Sequence, residues 1–257
     1  MAARGSKYRR RRGRFGVLYK LLSVLLILVA LVAGCIVFFR VEKITVIGST
    51  TYTEQQIIDT SGVEIGDNLF LVQKVPTGRR ILGVLPYIKD VNIRRNLPNG
   101  LVITVNECVP VAALEGEGDS WWILDSSAKL LEQGDRTRVE NYMKVTGLTA
   151  LKPSAGGKVA VSAEETTKLG SLKSILAALE EREMFADVNS VDLSAVTEIH
   201  MIYQDCYTVR MPMYSDDFHR LIHTLQVVAE HPKVAGRSGT IDLTRKDPSF
   251  IPADLSF

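Results

Sequence analysis

Three clusters in this chain have residue types and spacings from which catalysis could be built. Ser126-Ser-Ala-Lys129 has the Ser-x-x-Lys spacing of serine acyl-transfer enzymes, in which lysine lies one helical turn beyond the nucleophile. That geometry needs a helix starting at the serine. Here the apolar stretches 121–124 and 129–132 on either side read as two strands, so the serines fall in a hairpin turn. No Lys-Thr-Gly follows, and Ser215-Asp-Asp is not the Ser-Asp-Asn of that chemistry. His219 and His223 stand four apart on a predicted helix and could share a metal, but position 220 is Arg, where a zinc hydrolase places Glu. They read as polar residues flanking an apolar stripe. Asp216-Asp217 suits a helix N-terminus through the helix dipole, and Glu180-Glu181 ends another helix. No Gly-x-Ser-x-Gly, phosphate loop, dinucleotide fingerprint or Cys/His catalytic set is present. The expectation is a binding protein with no catalytic residues, no cofactor and no metal.

The elements that would position these clusters fall into two parts. In the first, 41–48 alternates as a strand, with Ile44 and Val46 on one face. Thr53-Glu-Gln-Gln56 is a capping box, predicting a helix over 53–61. A second helix is predicted from Pro76 to Leu85 and a strand over 89–95. After the turn Asn96-Leu-Pro-Asn-Gly100 comes a strand with Leu101, Ile103 and Val105 inward. The order β-α-α-β-β predicts a small α+β domain ending near Ala112. In the second part, the hairpin is followed by a helix capped at Ser162 and running to Arg182, then strands at 188–193, 198–203 and 207–211. A helix capped at Ser215 and a last strand, 239–244, lead to a short tail. No internal repeat stands out.

Charge and hydropathy place both parts relative to a membrane. Residues 21–39, "LLSVLLILVALVAGCIVFF", carry no charge and are about long enough to cross ~30 Å of hydrocarbon. A secretory signal would have a shorter apolar region; because the stretch runs on past Cys35, an uncleaved anchor is expected. Before Leu21 stand Arg4, Lys7, Arg9, Arg10, Arg11, Arg12, Arg14 and Lys20, and no acidic residue. Positive charge stays cytoplasmic, which puts the long C-terminal part outside. Without those eight, the chain has 23 of its 31 basic residues against 29 acidic ones, a net of −6. The arginine run therefore reads as a topology signal, and no nucleic-acid partner is expected. Outside the span lie two cysteines, Cys108 and Cys206. They could pair, but a chain able to build a sizeable core has no need of a staple, which favours two buried thiols.

With these residues in place a family likeness emerges. The basic tail, the single span, "VEKITVIGSTTYTEQQIIDTSGVEIGDNLF" and "ILGVLPYIKDVNIRRNLPNGLVITVNECVPVA", followed by a β-rich part, resemble the bacterial cell-division family FtsQ/DivIB. The matching positions are Gly48, Gly66, Pro86, Arg95, Pro98, Glu107 and Pro110. The first extracytoplasmic part resembles that family's POTRA domain. Two departures stand out: Leu97 occupies a place where the family often has an aromatic residue, and Cys108 one where it usually has Arg.

The resemblance implies a single-pass membrane protein organised as a tail (1–20), a transmembrane helix (21–39), a POTRA domain (40–112) and a mixed β domain with two longer helices and a C-terminal edge strand (113–257). It implies a non-enzymatic scaffold at the division septum. Its partners would be FtsB/DivIC-like and FtsL-like bitopic proteins and other divisome components, and through them it would help control septal peptidoglycan synthesis. A partner of this family adds a strand at the sheet edge near the C-terminus. The matching residues here are Thr240, Ile241, Asp242, Leu243, Thr244 and Arg245, with Phe250 and Ile251 as anchors. The alternatives are a POTRA-bearing secretion or envelope-assembly factor and, third, an anchored envelope enzyme. The former needs a downstream barrel, for which the chain is expected to be too short.

Overall fold

The computed structural model describes residues 14–253, so the basic residues at positions 4–12 lie outside the described part. The first element, α1, spans Arg14–Phe38. Within it Gly16–Phe38 is 23 residues long with mean hydropathy 3.1, and its side chains are exposed all round. At about 1.5 Å per residue that is roughly 35 Å, enough to cross a bilayer. A helix apolar on every side has no water-facing stripe, and lipid is the solvent that suits it. Of the expected span at 21–39, residues 21–38 lie in this longer continuous helix and Phe39 follows its end.

The next elements are β1 (Lys43–Ile47), α2 (Glu54–Ser61), α3 (Lys74–Val84), β2 (Ile88–Asn96) and β3 (Gly100–Glu107). They follow the expected β-α-α-β-β order, and the three strands form one sheet in the order β1-β3-β2. β1 runs parallel to β3, with Ile44 opposite Leu101 and Val46 opposite Ile103. Helix α2 starts where its capping box does: Thr53 Oγ1 accepts from the Gln56 N–H, and the Gln56 side chain accepts from the Thr53 N–H. Helix α3 starts two residues before Pro76, because a proline in the first turn lacks only an N–H that has no helical partner anyway.

The chain divides into two compact units. One comprises residues up to Arg79 with Asn92–Thr104; the other comprises Arg80–Val91 with everything from Val105 on. The second unit is built on a nine-stranded sheet of β4 (Pro110–Glu115), β5 (Trp121–Asp125), β6 (Leu130–Gly134), β7 (Met143–Thr146), β8 (Val188–Asp192), β9 (Glu198–Tyr203), β10 (Tyr207–Pro212), β11 (Gly239–Asp242) and β12 (Ser249–Pro252). The strands lie in the order β12-β11-β10-β9-β8-β7-β4-β5-β6. Helices α4 (Thr166–Glu181) and α5 (Phe218–Ala229) bury their apolar stripes in the main core.

Strand alternation divides the apolar residues between the two faces. Ala112, Leu114, Trp122, Leu124 and Leu130 join the main core with both helices. Their neighbours Ala113, Ile123 and Leu131 join a small cluster with Cys108 and Val139. Tyr87 and Tyr142 pack against that cluster. Here the chain leaves β3, the Cys108 N–H donates to the Tyr87 carbonyl at 2.7 Å, and Pro110 opens β4.

Several expectations change. The Ser162 hydroxyl makes no cap: a 3₁₀ turn, Ala163–Glu165, precedes α4, and Glu165 instead accepts from the Thr149 N–H at 3.2 Å. The cap of α5 is Asp217, which accepts from the Arg220 N–H at 2.9 Å, while Ser215 accepts from the Asp217 N–H at 3.2 Å. β4 and β12 are strands where the sequence suggested a domain exit and a tail, and β7 is a strand in a stretch the sequence left unassigned. The last correction bears on function: 239–242 is not the final strand, because β12 pairs with it.

Candidate partner-docking edge

Among the predicted chemical clusters, none assembles. Ser126 Oγ donates to Glu180 at 2.7 Å, while Lys129 Nζ turns away to the Ile88 carbonyl at 2.8 Å. Asp125 is what shapes this turn, accepting from the N–H and hydroxyl of Ser127 and the N–H of Lys129 at 2.8–2.9 Å. His219 pairs with Glu181 at 2.7 Å. No group of three or more His, Cys, Asp or Glu that could hold a metal occurs among the described residues. Cys108 and Cys206 are separate thiols. Burial, reinforced by a hydrogen bond with Asp125, pushes the Cys108 thiol up to about 11, which keeps it protonated at neutral pH.

The signature residues of the first part hold backbone rather than chemistry. Gly66 takes φ 102°, a left-handed conformation natural to glycine. Arg95 donates to the carbonyls of Leu69, Phe70 and Val72 at 2.7–3.1 Å, clamping the loop after Gly66. Gly48 follows β1, and Pro86 follows α3. Leu97-Pro98 is a cis peptide in the β2–β3 turn. Glu107 closes β3 and Pro110 opens β4.

The residues expected to meet a partner lie in and after β11 and in β12. β11 runs parallel to β10 on one side and antiparallel to β12 on the other. The Gly239 N–H donates to the Cys206 carbonyl and the Leu243 N–H to the Arg210 carbonyl, so alternate residues 239, 241 and 243 face β10. Thr240 and Asp242 therefore face β12. The Ala253 N–H donates to the Ser238 carbonyl, which sets the same alternation in β12. Ile251 bonds toward Thr240, and positions 248, 250 and 252 aim their backbone groups away from the sheet. Two of those three are proline. Along this stretch the open edge thus offers three carbonyls and a single N–H, that of Phe250.

The two expected anchors part company. Phe250 packs inward, 6.2 Å edge-on from Tyr207, with the Arg237 guanidinium 5.9 Å from its ring centroid. Its ring also lies over Gly239, where a Cβ would come within 2.7 Å of the ring and 2.4 Å of the Ile251 carbonyl. Glycine is what lets β12 lie this close. Beneath, Tyr207 is buried and donates to the Val234 carbonyl at 3.1 Å. Ile251 remains exposed on the opposite, polar face.

That face carries a row of charges in register: Asp192 opposite His200, His200 opposite Arg210, and Arg210 opposite Asp242. Arg210 makes a two-pronged bond to Glu198, both at 2.9 Å, and lies 3.8 Å from Asp242. The bond from Arg210 holds the Glu198 carboxyl below its usual range. Asp242 is also held low, first by the Thr244 hydroxyl, which donates to it at 2.6 Å. Gly239, Pro248, Pro252 and Arg210 are the parts of this edge that sequence reasoning missed. Proline at 248 and 252, in step with strand alternation, was the available signal.

Comparison with known proteins matches residues 39–107 to the POTRA domain of FtsQ type. Over 210 residues the chain is 24% identical to the cell division protein DivIB of Clostridium acetobutylicum, covering 81% of each chain. It is 31% identical over 174 residues to the cell division protein FtsQ of Geotalea daltonii, covering 63% of this chain and 54% of that one. With the FtsQ of Syntrophotalea carbinolica it shares 28% identity over 227 residues, 85% of this chain and 76% of the relative.

Proposed function

We propose that this chain, which belongs to the FtsQ/DivIB family of bacterial cell-division proteins, is a single-pass, non-enzymatic scaffold that gathers other bitopic division proteins at the septum. In this reading the basic tail (1–20) stays in the cytoplasm, 21–39 crosses the membrane, and a POTRA domain (40–112) and a β domain (113–257) work outside. The partners are small FtsB/DivIC-like and FtsL-like proteins, and the consequence of assembly is control of septal peptidoglycan synthesis.

The observation that carries the docking part of this reading is the outer edge of β12, which no strand among the described residues covers. An incoming strand would accept from the Phe250 N–H and donate to the carbonyls at 248, 250 and 252. Ile251 flanks that path with an apolar side chain, and the charged row of Asp242, Arg210, His200 and Glu198 runs inward from it across β11, β10 and β9. Thr240 and Asp242 then act one strand back by bonding toward β12, while Ile241 and Leu243 tie β11 to β10. Leu243 is buried, and Thr244 serves by fixing Asp242.

A fluorescent fusion of the full chain gives the direct test. The reading expects a mid-cell band and filamentous growth on depletion. A uniform membrane signal with normal division would refute it. Crosslinks from a photoreactive residue at position 251 to a small bitopic protein, absent from position 196 on the same unit, are expected if β12 is the dock.

A further inference from the structure

The end of α1 and the loop 66–72 are built as one piece. The Asn68 amide donates to the Ile36 carbonyl at 3.0 Å, and the Leu69 N–H to the Phe39 carbonyl at 2.8 Å. The Val41 N–H donates to Asp67 and the Gly66 N–H to Val41, both at 2.8 Å. Phe39 and Phe70 meet edge to face at 4.9 Å. The loop therefore sits at the level of Ile36, about 3 Å inside the last residue of the helix at its rise per residue.

At that level the loop presents apolar side chains outward. Phe70 is 50% and Leu71 75% exposed. The β2–β3 turn reaches the same end, since the Asn99 carbonyl accepts from the N–H groups of Glu42 and Lys43, and it carries Leu97, 56% exposed. Between the loop and the last turns of α1 lies a groove of about 460 Å³ walled by Val32, Cys35, Ile36, Phe39, Phe70 and Leu71.

Irregular backbone is tolerated next to hydrocarbon only if its polar groups are satisfied. Most of this loop's backbone groups are satisfied within the first unit. The N–H groups of Gly66, Asp67, Leu69, Phe70 and Leu71 all donate within the unit. The carbonyls of Asp67 and Asn68 accept from Val41 and Leu71, and Arg95 takes those of Leu69, Phe70 and Val72.

We propose that this surface is a membrane-contact site, with Phe70 and Leu71 entering the interfacial zone of the leaflet where α1 ends and a phospholipid acyl chain filling the groove. The argument for lipid is continuity: one wall of the groove is the spanning helix itself, so the medium that bathes that wall reaches the loop. Arg40, exposed at the junction, extends its charge toward the headgroups. Such a contact adds the bilayer surface to the hydrogen bonds that already tie the first unit to the end of α1. The inference rests on α1 spanning the membrane and is independent of the division role.

The test uses the full chain with Cys35, Cys108 and Cys206 replaced by alanine, reconstituted in phosphatidylcholine–phosphatidylglycerol vesicles. An environment-sensitive fluorophore is attached at Leu71→Cys, at Leu28→Cys in mid-span, or at Val196→Cys, a site 84% exposed on the second unit. The Leu71 probe should shift to the blue and be quenched about twofold by lipids brominated near the headgroup end of the chain, the ~5–10 Å depth that interfacial apolar surfaces reach. The Leu28 probe should respond to deeper bromines and the Val196 probe to none. A Leu71 probe that behaves like Val196 while Leu28 is quenched overturns the proposal, as does protection of Leu71 only on adding another protein. An unquenched Leu28 probe removes the span and the inference with it.

Discussion

Two short stretches of the large sheet are nearly the same in sequence and local structure: Ser190-Val-Asp-Leu-Ser194 and Thr240-Ile-Asp-Leu-Thr244. Each ends a strand that runs parallel to its neighbour, β7 or β10. In each the leucine after the aspartate is buried and donates its N–H to that neighbour, Leu193 to Thr146 and Leu243 to Arg210. The aspartate turns back to accept from the N–H two residues on, Ser194 at 2.8 Å and Thr244 at 2.9 Å. What differs is the strand on the other side. β8 is covered by the six-residue β9, while β11 is covered by the four-residue β12, whose far side is open. One local motif therefore serves two ends: in mid-sheet it closes a core strand, and near the edge it supports a short strand that no other described strand covers. The opposite edge, β6, is partly covered by its own chain: the Leu130 N–H donates to the Gly157 carbonyl and the Gly156 N–H to Leu130, both at 2.8 Å. Self-coverage of one edge and proline at the other both guard against indiscriminate pairing.

The comparison breaks most sharply at Gly239. Gly239→Val drives a side chain into the Phe250 ring and the Ile251 carbonyl, so β12 should detach. Overpacking of this kind costs about 1–3 kcal/mol. Hydrogen exchange at Ile251 and Ala253, whose N–H groups face β11, should rise to that of open loops while the amides of β8 and β9 stay protected, and partner capture should be lost.

Asp192→Ala and Asp242→Ala come next, since each removes hydrogen bonds that close the same turn. Both should lower stability by about 1–2 kcal/mol. Only Asp242→Ala should also weaken partner binding, measured by copurification, because only its turn supports the edge. Both carboxyls are held below the ordinary range, Asp192 chiefly by the Ser194 hydroxyl and Asp242 chiefly by that of Thr244. Such groups stabilise the fold above the unfolded carboxylate value of about 4, and that contribution disappears as pH falls through the depressed value. Each alanine variant should accordingly lose less stability than the parent on acidification below pH ~4, read as the change in Tm.

Ile251→Lys should have the smallest effect on the fold, within about 0.5 kcal/mol, because the side chain stands on the exposed face. It should still impair docking by placing a charge along the path of the incoming strand. Equal binding by the lysine variant and the parent would move the dock away from β12.

Where local chemistry was sufficient, the sequence was legible. The Thr53 capping box, the Asn-Gly turn at 99–100 and the alternation of Leu101, Ile103 and Val105 each place an element through contacts a few residues apart. β4 was obscured by Pro110, which reads as a stop, although proline is also tolerated as the first residue of a strand. β12 was hidden for a similar reason, three residues between two prolines looking like a tail. At Ser162 and Ser215 the cap pattern is present but other partners win: Glu165 is drawn to the Thr149 N–H, and Asp217 lies one turn before Arg220.

The sequence by itself determined the apolar helix, the β-α-α-β-β order and the family likeness, because each rests on composition, periodicity or short spacing. Tertiary structure alone decided that Thr240–Asp242 is an inner strand, that Phe250 faces the core while Ile251 does not, and that the loop 66–72 is tied to the end of α1. Those outcomes depend on pairings across tens of residues, such as Asn68 with Ile36 and Arg95 with Leu69. No local propensity encodes which strand or helix end will be waiting at the other side of such a contact.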